Sequence, residues 1–170
     1  AANGYSGEGL KFSVVRYGNV LGSRGSVIPF FKKIENTGFF PITSREMTRF
    51  NISLLESVKN VDWACKNSLG GEIIVPKIPS YRLVDLAKAI NEKNKLKIIG
   101  LRKGEKIHEE MITAADSIST YEIEKYFFIL TDSSKNTAKK FKNKFKNLKS
   151  VSKNFTYNSL NNKNFLTVAQ

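Results

Sequence analysis

The stretch Lys11-Phe-Ser-Val-Val-Arg16 runs directly into Tyr17-Gly-Asn-Val-Leu-Gly-Ser-Arg-Gly25, and this succession decides the fold class. The β-branched run predicts a mostly buried strand, and the glycines after it predict a turn at the strand's carboxyl end. Open α/β sheets bind ligands at that end of their strands. The turn is therefore either a ligand-binding loop or a purely structural one. Its glycines, at positions 18, 22 and 25, do not fit the dinucleotide pattern G-x-G-x-x-G.

The rest of the chain predicts helices that alternate with strands, which indicates an α/β architecture. Helices are predicted over 27–37, 53–68, 82–91 and 105–112, and strands over 72–76, 97–101 and 126–130. Gly38 is expected to cap the first of these helices. Ser53 and Glu56 fit a capping box at the start of the second helix. The apolar face of that helix is predicted to consist of Leu54, Val58, Val61 and Cys65.

Composition and charge limit the class of protein. The chain has 170 residues, 41% of them hydrophobic and 25% charged, which is ordinary for a folded domain. No apolar run is long enough for a membrane helix, and no signal peptide is visible, so we expect no membrane association. The single cysteine, Cys65, cannot form an internal disulfide, and a reducing cytoplasm is the simplest location.

The net charge of +13 is concentrated towards the end of the chain. No acidic residue follows Asp132, whereas nine lysines do, which leaves 19 basic and 15 acidic residues in 1–132. A basic nucleic-acid-binding module is therefore one functional reading, with phenylalanines between the lysines. The tail has no Arg-rich helix and no recognisable RNA-binding motif, so we expect no nucleic-acid partner.

Two arginines lie at loops that border the predicted α/β core. Arg49 precedes the capped helix, where it either faces an anion or pairs with Glu46 or Glu56. Arg102 follows a predicted strand, and its guanidinium could grip a diphosphate with two hydrogen bonds. His108 is the only histidine, without the cysteine or carboxylate cluster of a metal site, so a structural role is favoured and no metal is predicted.

Five segments carry a family resemblance. They are Arg16-Tyr-Gly-Asn-Val-Leu-Gly-Ser-Arg-Gly-Ser26, Pro41-Ile-Thr43, Met47-Thr-Arg-Phe50, Gly71-Glu-Ile-Ile-Val-Pro-Lys-Ile-Pro-Ser80 and Gly104-Glu-Lys-Ile-His-Glu109. In this order they resemble the UDP-N-acetylglucosamine 4,6-dehydratases of the 5-inverting type, which belong to the extended short-chain dehydrogenases/reductases and begin pseudaminic acid synthesis for flagellin glycosylation. The related capsule and O-antigen dehydratases are similar.

The resemblance implies a fold and a division into segments. The chain would be a C-terminal fragment, consisting of the last strands of a Rossmann-type doubly wound sheet and the small substrate-binding domain. Residues 1–132 would combine the end of the Rossmann domain with the nucleotide-sugar-binding subdomain, and 133–170 would form a basic, partly irregular segment. The NADP-binding half and the catalytic Asp-Lys and Tyr-x-x-x-Lys residues would lie upstream of residue 1, so the fragment alone would be inactive. The complete protein would be a homo-oligomer such as a hexamer.

The resemblance also implies roles for individual residues. Tyr17, Gly18 and Asn19 would meet the NADP cofactor, and Asn19 would also bind the UDP-N-acetylglucosamine substrate. The remaining substrate contacts would come from Ser26 and Val27 near the uridine, Ile42 against uracil, Arg49 and Arg102 at the diphosphate, and Glu105 at the ribose. A nucleotide-sugar epimerase or reductase of the same fold is the alternative enzyme.

Overall fold

The structure is a computed structural model that describes residues 9–131 and 134–169. These residues form two compact units. Unit 1 contains the chain up to Tyr17, Leu55–Lys77 and Met111–Tyr157, and unit 2 contains Gly18–Leu54, Ile78–Glu110 and the chain from Asn158. The boundary expected between residues 132 and 133 lies outside the described residues.

The described residues contain twelve short strands and four helices. The strands are β1 (Val14–Val15), β2 (Asn19–Val20), β3 (Phe39–Ile42), β4 (Thr48–Ile52), β5 (Glu72–Pro76), β6 (Ser80–Arg82), β7 (Lys95–Ile98), β8 (Glu110–Ile112), β9 (Thr120–Glu122), β10 (Tyr126–Leu130), β11 (Lys149–Ser150) and β12 (Tyr157–Asn158). The helices are α1 (Val27–Lys33), α2 (Leu54–Asn67), α3 (Leu83–Asn91) and α4 (Lys135–Lys144), with a 3₁₀ turn at Asp116–Ser119. In these residues no helix is long and apolar enough to cross a membrane.

A five-stranded sheet in the order β1-β5-β10-β9-β11 forms the centre of unit 1. β1 runs parallel to β5, and the other neighbouring strands are antiparallel. All five residues of β10 are buried, as the apolar run over 126–130 predicts. The ring of Phe128 on this strand packs edge-on against Phe141 of α4 and stacks on Phe145. Burial of the Phe141 ring and partial burial of the Phe145 ring hold the lysine-rich segment on the sheet.

Unit 2 contains a three-stranded sheet, β2-β4-β6, and a separate pair of parallel strands, β3 and β7. β4 pairs in parallel with β2 and antiparallel with β6. Between helices and strands lies a core of Phe31, Phe40, Ile42, Met47, Leu83 and Ala87. Helix α3, which lies within the helix predicted over 82–91, contributes Leu83 and Ala87 to this core, with Leu86 and Ile90 against it.

Two predicted elements differ in length or burial. The strand predicted over 11–16 is reduced to Val14–Val15, and Val14 is 41% exposed because β1 lies at the edge of its sheet. Helix α1 ends at Lys33 because Ile34, Glu35 and Thr37 turn with tighter backbone hydrogen bonds. Gly38 therefore does not cap it.

The buried face of α2 is not the predicted one. Leu54, Val58 and Val61 are 67%, 57% and 42% exposed, and Cys65 is exposed as well. The helix turns other residues inward, including Ala64 and the indole of Trp63, which stacks on Tyr126 with ring centroids 4.1 Å apart. The stack of Trp63 on Tyr126 holds this face of the helix against the sheet.

Candidate functional site

Unit 2 contains a cavity with a volume of about 640 Å³. Its apolar wall includes Phe30, Phe31, Met47 and Leu83. Five residues that the sequence singles out also line it, namely Ser26, Val27, Arg49, Arg102 and Glu105. The structure thus brings together residues up to 79 positions apart in the sequence, and with Lys33 the lining has three cations and one carboxylate on an apolar background.

In the glycine-rich turn before this cavity, Gly18 is required for a steric reason. A Cβ atom on Gly18 would lie 2.4 Å from the Cβ of Phe50, so only glycine permits this approach of the turn to β4. Gly22 and Gly25 have positive φ angles of 71° and 79°, which favour glycine in the turn itself. Tyr17, at the end of unit 1, is half-buried, and Asn19 is exposed.

A smaller cavity of about 150 Å³ shares Ser26, Val27 and Arg49 with the larger one. Asn19 and Tyr81 complete its polar lining together with Asn51. The hydroxyl of Ser26 is buried and has no hydrogen-bond partner among the described residues. An unpaired buried hydroxyl at the junction of two cavities is a position where a ligand's polar group would be satisfied.

Tyr81 lies next to Arg49 on the neighbouring strand β6 and is 8% exposed. Burial raises the pKa of its phenol above the ordinary value of 10.0, and the Arg49 guanidinium partly opposes this rise. The phenol is therefore protonated at neutral pH and can donate a hydrogen bond into the smaller cavity.

Arg49 is held by the backbone of a distant loop. Its Nη1 donates to the carbonyls of Thr48 and Ile107 at 2.7 and 2.9 Å, and its Nη2 donates to the carbonyl of Lys106 at 2.9 Å. Its Nε lies 3.5 Å from Glu109 Oε1. The partner is thus neither Glu46 nor Glu56, and both pairings considered from the sequence are wrong.

The helix predicted over 105–112 does not form. The carbonyl of Ile107 accepts both the Arg49 guanidinium and the backbone N–H of Thr48, so it is not available for a helical turn. The segment is instead a loop that continues into β8. Likewise, the strand predicted over 97–101 is found two to three residues earlier, as β7.

Glu105 closes the start of this loop. Its Oε1 accepts a hydrogen bond from the Thr43 hydroxyl at 3.1 Å, and its Oε2 accepts one from the backbone N–H of Arg102 at 3.2 Å. The carboxylate therefore ties the loop to the end of β3. The Arg102 side chain is exposed at the cavity wall, and among the described residues no hydrogen bond or ion pair holds its guanidinium.

His108 belongs to a buried hydrogen-bond chain. Its Nδ1 lies 2.8 Å from Thr48 Oγ1, which lies 2.6 Å from the hydroxyl of Ser159. Ser159 also accepts the backbone N–H of Glu109 at 2.9 Å. This arrangement agrees with the structural role favoured for His108, because it connects β4, the loop and the C-terminal segment.

The cavity lining differs from the predicted one in two ways: it includes residues that no sequence pattern predicts, and it does not include Ile42. Ile42 is 1% exposed and lies in the core of unit 2, whereas its neighbours Pro41 and Thr43 line the cavity. Phe30, at 46% exposure beside the cavity, was not singled out. The motif Pro41-Ile-Thr43 places Thr43 near the site. Because side chains alternate between the two faces of β3, Pro41 and Thr43 face the cavity and Ile42 faces the core.

The arrangement suits an anionic ligand with an apolar, ring-shaped part. Arginines form strong hydrogen bonds with phosphate oxygens, and an apolar wall accepts a planar ring. The Glu105 carboxylate is already bonded by Thr43 and by the Arg102 backbone, and the Arg49 guanidinium by three carbonyls, so the site is suited to hold and orient such a ligand.

Known proteins are similar to this chain. The family described as polysaccharide biosynthesis protein matches residues 1–131. A UDP-N-acetylglucosamine 4,6-dehydratase (inverting) from Campylobacter jejuni is 52% identical over 132 residues, which cover 76% of this chain and 40% of the relative. A UDP-glucose 4-epimerase from Rickettsia bellii is 40% identical over 126 residues, or 71% of this chain and 37% of the relative. The chain thus spans about 40% of the length of the curated relatives that it matches.

A solved structure shares the fold. The X-ray structure of Pen from Bacillus thuringiensis matches 94% of this chain and 48% of its own, with a TM-score of 0.77 and 31% identity. The predicted α/β class of the extended short-chain dehydrogenases/reductases is confirmed. The resemblance drawn from the five motifs is confirmed too, and the chain belongs to the polysaccharide biosynthesis protein family.

Proposed function

We propose that this chain provides the substrate-binding part of an NADP-dependent UDP-N-acetylglucosamine 4,6-dehydratase. The observation that carries the proposal is the cavity of about 640 Å³ that brings Arg49, Arg102, Glu105 and Ser26 together in unit 2. Its size and its cationic, partly apolar lining suit a nucleoside diphosphate. The 52% identity to the Campylobacter jejuni enzyme supports this choice of substrate.

Each lining residue has a chemical role in this proposal. Arg102, whose guanidinium has no hydrogen bond or ion pair within the described part of the chain, would grip the diphosphate with paired hydrogen bonds. Arg49 would add positive charge from the strand side while it holds the loop. Glu105 would accept a bond from a ribose hydroxyl, and Ser26 would satisfy its buried hydroxyl near the uridine, with Val27 against the ring. Ile42 would support the uracil-side wall from the core.

The proposal requires catalytic groups beyond those at this site. Oxidation of the sugar at C4 makes the C5 proton acidic, so a base can remove it as the C6 hydroxyl leaves. In this chain, the cavity residues bind and orient the sugar nucleotide for these steps. The acid and base, expected as Asp-Lys and Tyr-x-x-x-Lys residues, would come from the remainder of the complete enzyme.

This chain would contact only the nicotinamide end of the NADP cofactor. Gly18 lies so close to Phe50 that only glycine fits there, which leaves its backbone as the group that it can offer to a ligand. Tyr17, Gly18 and Asn19 would meet the nicotinamide end, where NADP would supply hydride acceptance and return. The binding of the NADP phosphates would therefore depend on another part of the complete enzyme.

The first experiment measures binding by the 170-residue chain. Isothermal titration with UDP, uridine and NADP should show clear binding of UDP, binding of uridine weaker by about tenfold or more because the diphosphate is missing, and no tight binding of NADP. Equal affinities for UDP and uridine would contradict a diphosphate site.

The second experiment tests the reaction with the complete enzyme. The 40% identity to a UDP-glucose 4-epimerase favours an epimerase as the second candidate. Mass spectrometry of the product from UDP-N-acetylglucosamine distinguishes the two reactions. A dehydratase product has lost one water molecule, whereas an epimerase product keeps the substrate mass.

The wider role follows from the same proposal. We place the complete enzyme in the cytoplasm, in pseudaminic acid, flagellin-glycan or surface-polysaccharide synthesis, as a homo-oligomer such as a hexamer. The exposed apolar residues Leu54, Leu55, Val58 and Val61 of α2 support burial of that face against another polypeptide. Size-exclusion chromatography with light scattering would measure the oligomeric state directly.

A further inference from the structure

Unit 1 contains a cavity of about 380 Å³ that no step of the proposed reaction uses. We call it the aromatic cavity. Its apolar lining comes from the rings of Trp63, Tyr126 and Phe145 together with Ile123. Lys125, Lys144 and Lys146 also line it, with Glu124 and Asn147. A cavity with an aromatic wall and three ammonium groups combines two features that one ligand could satisfy.

The aromatic wall is fixed in place by the core of unit 1. Trp63 and Tyr126 stack with their planes 19° apart, and the Tyr126 hydroxyl donates to Asn60 Oδ1 at 2.9 Å. Phe145 lies 6.0 Å from Trp63 and 4.9 Å from the buried ring of Phe128, measured between centroids. The wall is therefore preorganised, so a ligand would not have to order it on binding.

The charge around the wall is positive. Lys125, Lys144 and Lys146 are exposed and outnumber Glu124, and none of the three takes part in an ion pair among the described residues. Lys144 Nζ lies 5.7 Å from the centroid of the Phe145 ring, so the cation and the aromatic surface are adjacent. The sequence adds no acidic residue after Asp132 that could neutralise these lysines. Such a concave cationic surface attracts anions.

We propose that the aromatic cavity binds a mononucleotide, with the base against the aromatic wall and the phosphate between the lysines. The volume of about 380 Å³ suits one nucleotide, with its base, ribose and phosphate. A nucleic-acid strand would need successive aromatic platforms for successive bases, and this surface provides a single cluster. The proposal is independent of the UDP-sugar site, because every residue of the aromatic cavity belongs to unit 1.

The chain's single tryptophan makes this proposal directly measurable, because Trp63 lines the aromatic cavity. AMP and UMP are titrated separately into the 170-residue chain while Trp63 fluorescence is excited at the red edge of its absorption. A saturable change in emission is expected for at least one of the two nucleotides. Adenosine and ribose 5-phosphate, which lack the phosphate and the base respectively, should bind at least about tenfold more weakly.

Two double variants test the role of the lysines at equal change of net charge. Lys144→Gln with Lys146→Gln removes two ammonium groups from the cavity and should weaken binding by about tenfold or more. Lys139→Gln with Lys140→Gln removes two exposed ammonium groups elsewhere on the same segment and should change affinity by less than about threefold. Circular dichroism of both variants checks that they are folded.

Three results would overturn the proposal. One is the absence of a saturable fluorescence change with either nucleotide. Another is equal weakening by the two double variants, which would indicate only a diffuse attraction of anions. The third is much tighter binding of a short single-stranded oligonucleotide than of AMP or UMP, which would assign the surface to nucleic acid. Arg102→Ala, at the UDP-sugar site, should leave the fluorescence titration unchanged.

Discussion

Arg49 and Arg102 line the same cavity, but they are held in different ways. Arg49 lies on β4 with its side chain mostly buried, and its guanidinium bonds three carbonyls and approaches Glu109. Arg102 lies on an exposed loop, where Glu105 bonds its backbone N–H and its carbonyl, and among the described residues nothing bonds its guanidinium. One arginine mainly builds the site, whereas the other remains available to a ligand.

The difference shows that position at a cavity does not determine how a cation acts there. A guanidinium that already satisfies backbone carbonyls keeps its charge but has few donors left for a phosphate. A guanidinium without partners keeps all its donors, but it must be ordered when the ligand binds. Substitutions at the two positions should therefore separate stability from affinity.

The largest effect is expected for Arg49→Ala. It leaves the carbonyls of Lys106 and Ile107 without this donor, so the free energy of unfolding should fall by about 2–4 kcal/mol. Urea denaturation of the 170-residue chain measures this change. Arg45→Ala, which removes an exposed arginine outside the cavity, is the matched control. Equal stability of the two variants would mean that Arg49 does not hold the loop.

A smaller effect, on affinity alone, is expected for Arg102→Ala. Loss of charge-assisted bonds to the diphosphate should weaken UDP binding about ten- to a hundredfold. The free energy of unfolding should change by less than about 0.5 kcal/mol, because the side chain is exposed. Arg102→Lys should recover only part of the affinity, since an ammonium cannot form the paired contact. Isothermal titration measures the two affinities and urea denaturation the free energy of unfolding, and unchanged binding by Arg102→Ala would refute its role.

The smallest effect is expected for Thr43→Val, which alters the support of the Arg102 loop without touching either arginine. Glu105 loses the hydroxyl that bonds its Oε1 but keeps its contact with the Arg102 backbone. Stability should fall by about 1 kcal/mol, and UDP affinity should fall by about two- to fivefold. Thr43→Ser, which keeps a hydroxyl, should behave like the unaltered chain in the same titration.

The sequence predicts the elements whose signal is local. The apolar run over 126–130 forms the buried strand β10, and the periodic residues of α3 face the core of unit 2. The face of α2 could not be predicted in this way, because its apolar residues allow two faces. Packing of Trp63 on Tyr126, a residue 63 positions later, selects between them.

The site shows the same limit. The resemblance predicts substrate contacts by Arg49, Arg102 and Glu105, and the structure brings these three residues to one cavity. The loop at 105–109 could not be predicted from local sequence. The carbonyls of Lys106 and Ile107, which a helix would use, accept hydrogen bonds from Arg49, which lies 57–58 positions away. The contact between Glu105 and Thr43 joins residues 62 positions apart, and no spacing rule predicts it.

The hydrogen bonds of Ser159 have a consequence for how the chain can be handled. Ser159 is fully buried, and its backbone and hydroxyl both bond Glu109, which lies beside Arg49. Further along, the backbone N–H of Leu166 donates to the carbonyl of Ser80 at 2.7 Å. Residues 158–166 therefore hold the loop at the cavity in place through these hydrogen bonds. Proteolytic trimming of the carboxyl terminus, or an affinity tag placed close to it, would loosen the ligand site from a distance.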